Sequence, residues 1–116
     1  MSTRYANATP IAAGDMSTTS ITGTGIELKQ FDNISFEFTW TGTPTGTISF
    51  QVSNSSTDGA NGNWYPYTAT VTEQPAGSAS GTAVNINQCP FKYIRPVYTK
   101  DSGSGALTVL AFQKGF

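Results

Sequence analysis

From Ile34 to Trp40 the chain alternates, with Ile34, Phe36, Phe38 and Trp40 separated by Ser35, Glu37 and Thr39. A period of two places four large apolar side chains on one face of a β-strand. The segment therefore predicts a half-buried strand with Trp40 in the core. Thr47 to Ser53 repeats the pattern, with Ile48, Phe50 and Val52 as its apolar side. Between the two runs, Thr41-Gly-Thr-Pro-Thr-Gly46 supplies the residues of turns, so the pair reads as an antiparallel hairpin.

The same period recurs along the chain, with interruptions that carry meaning. Ile21 to Gln30 reads as a strand in which Ile26 and Leu28 alternate with Glu27 and Lys29, after Gly23 and Gly25 have broken it. Asn54 to Asn63 is a polar loop, and Trp64 to Val71 resumes alternation with a proline, Pro66, that belongs on an edge strand or a bulge. Glu73 to Thr82 reads as a second loop, and Ala83 to Gln88 as a short strand ended by Pro90. Phe91 to Thr99 is β-rich, but Pro96 has no N–H to give to a ladder, so a bulge or an edge is expected there. Asp101 to Gly105 is expected to turn the chain into a last strand, Ala106 to Lys114. The sum is an all-β chain: one antiparallel β-sandwich or jelly-roll-like domain of about seven strands over residues 20–116, preceded by an extended N-terminal arm over residues 1–19.

Composition narrows the function. Thr, Ser, Gly and Asn make up 49 of 116 residues while only 11% are charged, so the outer faces and turns are polar without being ionic. With 37% hydrophobic residues and a net charge of -1, the chain has the apolar content of a folded domain, not of a disordered one. Six scattered basic residues do not make the positive field that phosphate neutralisation needs, so nucleic acid is not an expected partner. The sequence has no His, which removes the commonest general base and the commonest metal ligand. Catalysis, a metal and a cofactor are therefore not expected. Cys89 is the only cysteine and reads as a small half-buried residue before Pro90. Neither a signal-peptide core nor a membrane-length apolar run is present, so a cytosolic origin and no membrane partner are expected.

A few residues stand out as candidate contacts. Trp64, Tyr65 and Tyr67 follow a polar loop and would suit stacking on a sugar ring or a partner. Arg95 lies between Tyr93 and Tyr98 in an apolar stretch, so it is expected to stack on a tyrosine, pair with Asp101 or snorkel from an edge. The closing Lys114-Gly115-Phe116 puts an apolar residue at the end of the chain, which makes Phe116 a candidate partner contact. Asp58 to Asn63 offers oxygens at alternate positions but lacks the repeated carboxylates of a calcium loop, and a solvated turn is the expectation. Glu27 and Glu37 belong to different strands and read as surface residues, not as a glycosidase pair.

The succession Trp40-Thr-Gly-Thr-Pro-Thr-Gly46, Ile48-Ser-Phe-Gln-Val-Ser-Asn54, Asn63-Trp64, Ile94-Arg95 with Tyr98, Ser102-Gly-Ser-Gly-Ala-Leu107 and Lys114-Gly115 resembles small β-sandwich structural proteins in the virions of tailed bacteriophages. The resemblance spans roughly residues 20–115 and departs from that family's smooth strands at Pro66 and Pro96. It implies a building block of a capsid, neck or tail, homo-oligomeric and bound to other virion proteins, with capsid decoration as the favoured position. The competing expectation is a carbohydrate- or receptor-binding module that uses Trp64, Tyr65 and Tyr67.

Overall fold

The computed structural model describes residues 4–28, 33–67, 74–76, 81–87 and 90–115. Among these residues ten strands form: β1 (Arg4–Asp15), β2 (Ser20–Thr22), β3 (Ile26–Glu27), β4 (Asn33–Trp40), β5 (Thr45–Ser53), β6 (Tyr65–Pro66), β7 (Gln74–Ala76), β8 (Gly81–Asn87), β9 (Tyr93–Ser102) and β10 (Ala106–Gly115). Four of them are only two or three residues long, too short for alternation to register. The first sheet has the order β1-β10-β4-β8; the second has β2-β9-β5-β6, with β3 also on β9 and β7 also on β5. Every pairing is antiparallel.

Alternation builds the core as expected, and the register shows how. Ile34, Phe36, Phe38 and Trp40 of β4 lie opposite Gln113, Ala111, Val109 and Leu107 of β10, and all of these are buried. In the second sheet Ile48, Phe50 and Val52 of β5 lie opposite Tyr98, Pro96 and Ile94 of β9. The two inner faces meet at the Phe50 ring, 4.9 Å from the Phe36 centroid and 6.0 Å from that of Phe38. Gln113, the polar member of the inner face, donates from Nε2 to the Glu27 carbonyl at 2.9 Å and so ties β10 to β3 in the other sheet. A buried amide is tolerated because this bond satisfies it.

β4 and β5 are not a hairpin. β4 pairs with β10 and β8, whereas β5 pairs with β9, β6 and β7, so residues 41–44 carry the chain from one sheet to the other. The connection from β9 to β10 crosses at the same end, and the two crossings are hydrogen-bonded to each other: Thr43 N–H to the Ser104 carbonyl at 3.1 Å, and Thr41 N–H to the Ala106 carbonyl at 3.1 Å. Gly42 and Gly103 are both in the left-handed region, at φ 80° and 83°. A Cβ on either would run into the facing crossing, at the Ser104 and Thr43 carbonyls. These glycines serve two adjacent crossings, not a two-strand turn.

The N-terminal segment is extended, as the arm expectation had it, but over Arg4–Asp15 it lies within the first sheet as edge strand β1, paired with β10. Its register shifts between Ala8 and Ile11 and between Ile11 and Gly14, and Ala13 takes a φ of 51°. Such irregularities discourage further pairing along an edge. The Ile21–Gln30 strand divides into β2 and β3 around residues 23–25. Pro96 faces that division. The Gly23 N–H donates to the Pro96 carbonyl at 2.8 Å, so the proline nitrogen points to the same side, where no ladder partner needs its missing hydrogen. Pro96 is accommodated inside β9 with no register shift at its position. The last strand begins as expected, but β9 continues through Asp101 and Ser102. Cys89 and Phe116 lie outside the described residues.

Candidate functional site

The outer side of the second sheet carries the most elaborated side-chain cluster. Gln51 and Arg95 face each other across the β5–β9 ladder and point outward, because their neighbours Phe50, Val52, Ile94 and Pro96 point into the core. Arg95 donates from Nε and Nη2 to Gln51 Oε1, at 2.9 and 2.7 Å. Its guanidinium carbon lies 4.0 Å from the Trp64 ring centroid, a cation–π stack. Arg95 therefore stacks on a tryptophan, not on Tyr93 or Tyr98, and its polar partner is an amide, not Asp101. Partial burial pulls its guanidinium below the ordinary arginine value.

Trp64 is held in place by the loop before it. Ser53 Oγ accepts from Ser55 N–H and Ser56 N–H at 3.2 and 3.1 Å. The fully buried Ser56 hydroxyl accepts from Gly59 N–H and donates to Asn61 Oδ1, both at 3.0 Å. Asn61 Oδ1 also accepts from Thr57 N–H at 2.7 Å, and the Asn61 carbonyl accepts from the Trp64 indole at 2.9 Å. The loop tip is then fastened across β9 by the Gly25 N–H, which donates to the Gly59 carbonyl at 2.9 Å. A Cβ at Gly25 would come within 2.7 Å of the Trp64 ring, so only glycine allows this approach. Under the loop, Tyr93 is buried with its ring 6.4 Å from that of Trp64. Burial, and then the charges of Glu27 and Asp58, push its phenol above the usual value.

The alternating Asp and Asn of the loop serve the same framework. Asp58 Oδ1 accepts from Ala60 N–H and Asn61 N–H, each at 2.8 Å, and these bonds, that from Asn61 first, hold its carboxyl below the ordinary carboxylate value. The oxygens point to the loop's own backbone, as in a solvated turn. Among the described residues no three His, Cys, Asp or Glu side chains converge, and no helix is long and apolar enough to cross a membrane. Glu27 and Glu37 are exposed, on strands of different sheets.

The three aromatics of the sequence do not form one platform. Trp64 is half-buried against Arg95. Tyr67 is buried, its N–H donating to the Phe50 carbonyl at 2.9 Å and its ring edge-on to Phe91 at 5.7 Å. Tyr65, 63% exposed, is the member open to solvent. It lines an open cleft of about 400 Å³ at the β5–β6 edge together with Val52, Phe91, Ser53, Asn54, Ser55 and Asn63. Sequence reasoning missed Phe91, because the cleft joins segments nearly forty residues apart, and both asparagines, which read only as members of the polar loop. A second surface feature lies on the outer side of the first sheet, where Leu110 and Phe112 of β10 are 46% and 39% exposed, opposite Glu37 and Ser35 of β4.

No protein-family model matches the chain, and no curated protein matches it by sequence. Its fold does match solved structures. The SPBc2 prophage-derived protein YomS superposes with a TM-score of 0.67 at 13% identity, over 99% of this chain and 96% of that one. A chain in the structure of infectious bursal disease virus, Gx strain, matches with a TM-score of 0.55 at 12% identity, over 97% of this chain and 32% of its own length. The likeness is one of fold: the two-sheet antiparallel sandwich is shared by a prophage-derived and a viral protein.

Proposed function

We propose that the chain is a non-enzymatic structural protein of a phage virion, and within that class a capsid decoration or cement protein. It acts as a homo-oligomer through contacts with other virion proteins. The observation that carries this reading is the extent of the fold likeness to YomS, 99% of this chain on 96% of a prophage-derived one, which makes the entire domain the shared unit. The likeness to the bursal disease virus chain adds a second viral example of the same sandwich.

The surface suits the role. Leu110 projects outward from β10 in the middle of the first sheet, opposite Glu37 of β4, with the partly exposed Phe112 two residues on, so this weakly charged face carries exposed apolar surface beside Asn7, Ser35 and Glu37. Buried apolar anchors within a polar rim are the usual anatomy of a protein contact. The test is reconstitution on particles lacking the chain. Such particles should release their genome at a lower temperature, and the purified chain should bind them and restore the wild-type value. Leu110→Glu, an outward position, should fold normally yet fail to restore it. Particles of unchanged stability that do not bind the chain would overturn the proposal.

A further inference from the structure

We infer that the cleft at the β5–β6 edge is a binding site for a neutral saccharide of one or two pyranose rings. It lies on the second sheet, away from the Leu110–Phe112 face of the first, so the inference is independent of the virion role. The volume of about 400 Å³ falls within the roughly 300–1,000 Å³ of small-molecule sites. The Tyr65 ring, mostly exposed, offers a flat apolar wall for the C–H face of a sugar, and the half-buried Phe91 adds apolar surface to the same cleft.

The rim supplies the hydrogen bonds. Asn54 Oδ1 accepts from the Lys92 N–H at 2.9 Å. That bond fixes the orientation of the amide and leaves Nδ2 as a donor. Asn63 gives its backbone N–H to Ser55 Oγ at 2.8 Å, while its side-chain amide makes no hydrogen bond among the described residues and offers both a donor and an acceptor. The cleft thus presents one donor amide and one donor–acceptor amide, a set that adjacent sugar hydroxyls can satisfy, each being donor and acceptor at once.

The lining chemistry separates this ligand from its competitors. None of the lining residues is charged, so a phosphate or carboxylate would give up its hydration without a counter-charge. A purely apolar ligand would cover the two amides and leave them unpaired, which costs binding. A sugar ring, with one apolar face and a hydroxylated rim, meets both demands.

The experiment is saturation-transfer and amide-shift NMR on the full chain with lactose, maltose, cellobiose and diacetylchitobiose, with glucuronate and inorganic phosphate as anionic probes. At least one neutral disaccharide should receive saturation and move the side-chain amide signals of Asn54 and Asn63. Tyr65→Ala should weaken that binding about tenfold, the loss of one aromatic wall and its contacts. Asn63→Ala, which leaves the backbone bond to Ser55 intact, should weaken it about fivefold and decides the matter if the tyrosine variant fails to fold. Silence from all four disaccharides, preference for either anion, or undiminished binding in both variants would overturn the inference.

Discussion

Tyr98→Phe is expected to make the protein more stable, the reverse of what removing a tyrosine hydroxyl ordinarily does. Tyr98 is fully buried in β9 opposite Ile48, and among the described residues its hydroxyl has no hydrogen-bond partner. The tip of the ring rests on the Gly46 backbone, where a Cβ would lie 2.6 Å from the oxygen. A buried hydroxyl without a partner costs about 1–3 kcal/mol relative to water. Deleting it leaves a void of one oxygen, which at about 24 cal/mol per Å³ returns only a few tenths of a kcal/mol. The net is a gain of about 1 kcal/mol, equivalent to roughly 4 °C in Tm for a domain of this size. Urea denaturation should show a higher midpoint with an unchanged slope, which assigns the effect to stability and not to a different unfolded state. A midpoint lowered by the equivalent of about 1 kcal/mol, the usual cost of a lost hydrogen bond, would refute the reasoning and give the hydroxyl a partner.

Gly42→Ala should cost at least about 2 kcal/mol by denaturant melting, since it imposes a left-handed φ on a residue with a Cβ and drives that Cβ into the Ser104 carbonyl. Trp64→Ala should cost about 2 kcal/mol and free the Arg95 guanidinium, seen as loss of its ring-current shift in NMR. Stability should fall as pH rises above 10.0, because Tyr93 and Tyr98 have phenols raised by burial and the unfolded chain ionises first; in Tyr98→Phe the alkaline loss should be shallower. On the acid side, Asp15, bonded by Ser17, and Asp58, bonded by Asn61 and Ala60, ionise below 3.8 in the folded chain. The stability they add is therefore present above that value and lost as pH falls below it through their lower folded values, less so in Asp58→Ala.

Much of the fold was legible, because alternation reports directly on which side of a strand is buried. Ile34 to Trp40 and Ile48 to Val52 declared their inner faces, and Trp40 took the core position expected of it. What alternation does not encode is whether two apolar faces lie side by side in one sheet or confront each other across a sandwich. Thr41 to Gly46 looks like a hairpin turn for the same reason that it works as a crossing: both need glycine where the backbone reverses or approaches a neighbour. Pro66 does lie on a short edge strand, as its missing N–H requires. Pro96 escapes that requirement only because β2 and β3 part beside it, a break to which Gly23 and Gly25 pointed without showing what they faced.

The candidate site was legible in composition and less so in geometry. The aromatic run after the polar loop marked the right part of the molecule, yet its members divide among three environments. Arg95 finds Trp64 and Gln51, and the Trp64 partnership depends on a loop whose order comes from Ser53, Ser56, Asp58 and Asn61 bonding to one another. In the sequence Ser53 and Ser56 are indistinguishable from the other Ser of an uncharged surface, and Asp58 to Asn63 read only as a solvated turn. Their roles appear only once Gly59 is fastened to Gly25 and the loop has closed over Tyr93.

Quantitative mass spectrometry of purified particles, with this chain counted against the major shell protein, tests the virion role most directly. A decoration protein predicts a fixed and repeating ratio, in many copies per particle, that survives density-gradient purification. Absence of the chain from purified particles, with recovery only in the surrounding lysate, would contradict that role.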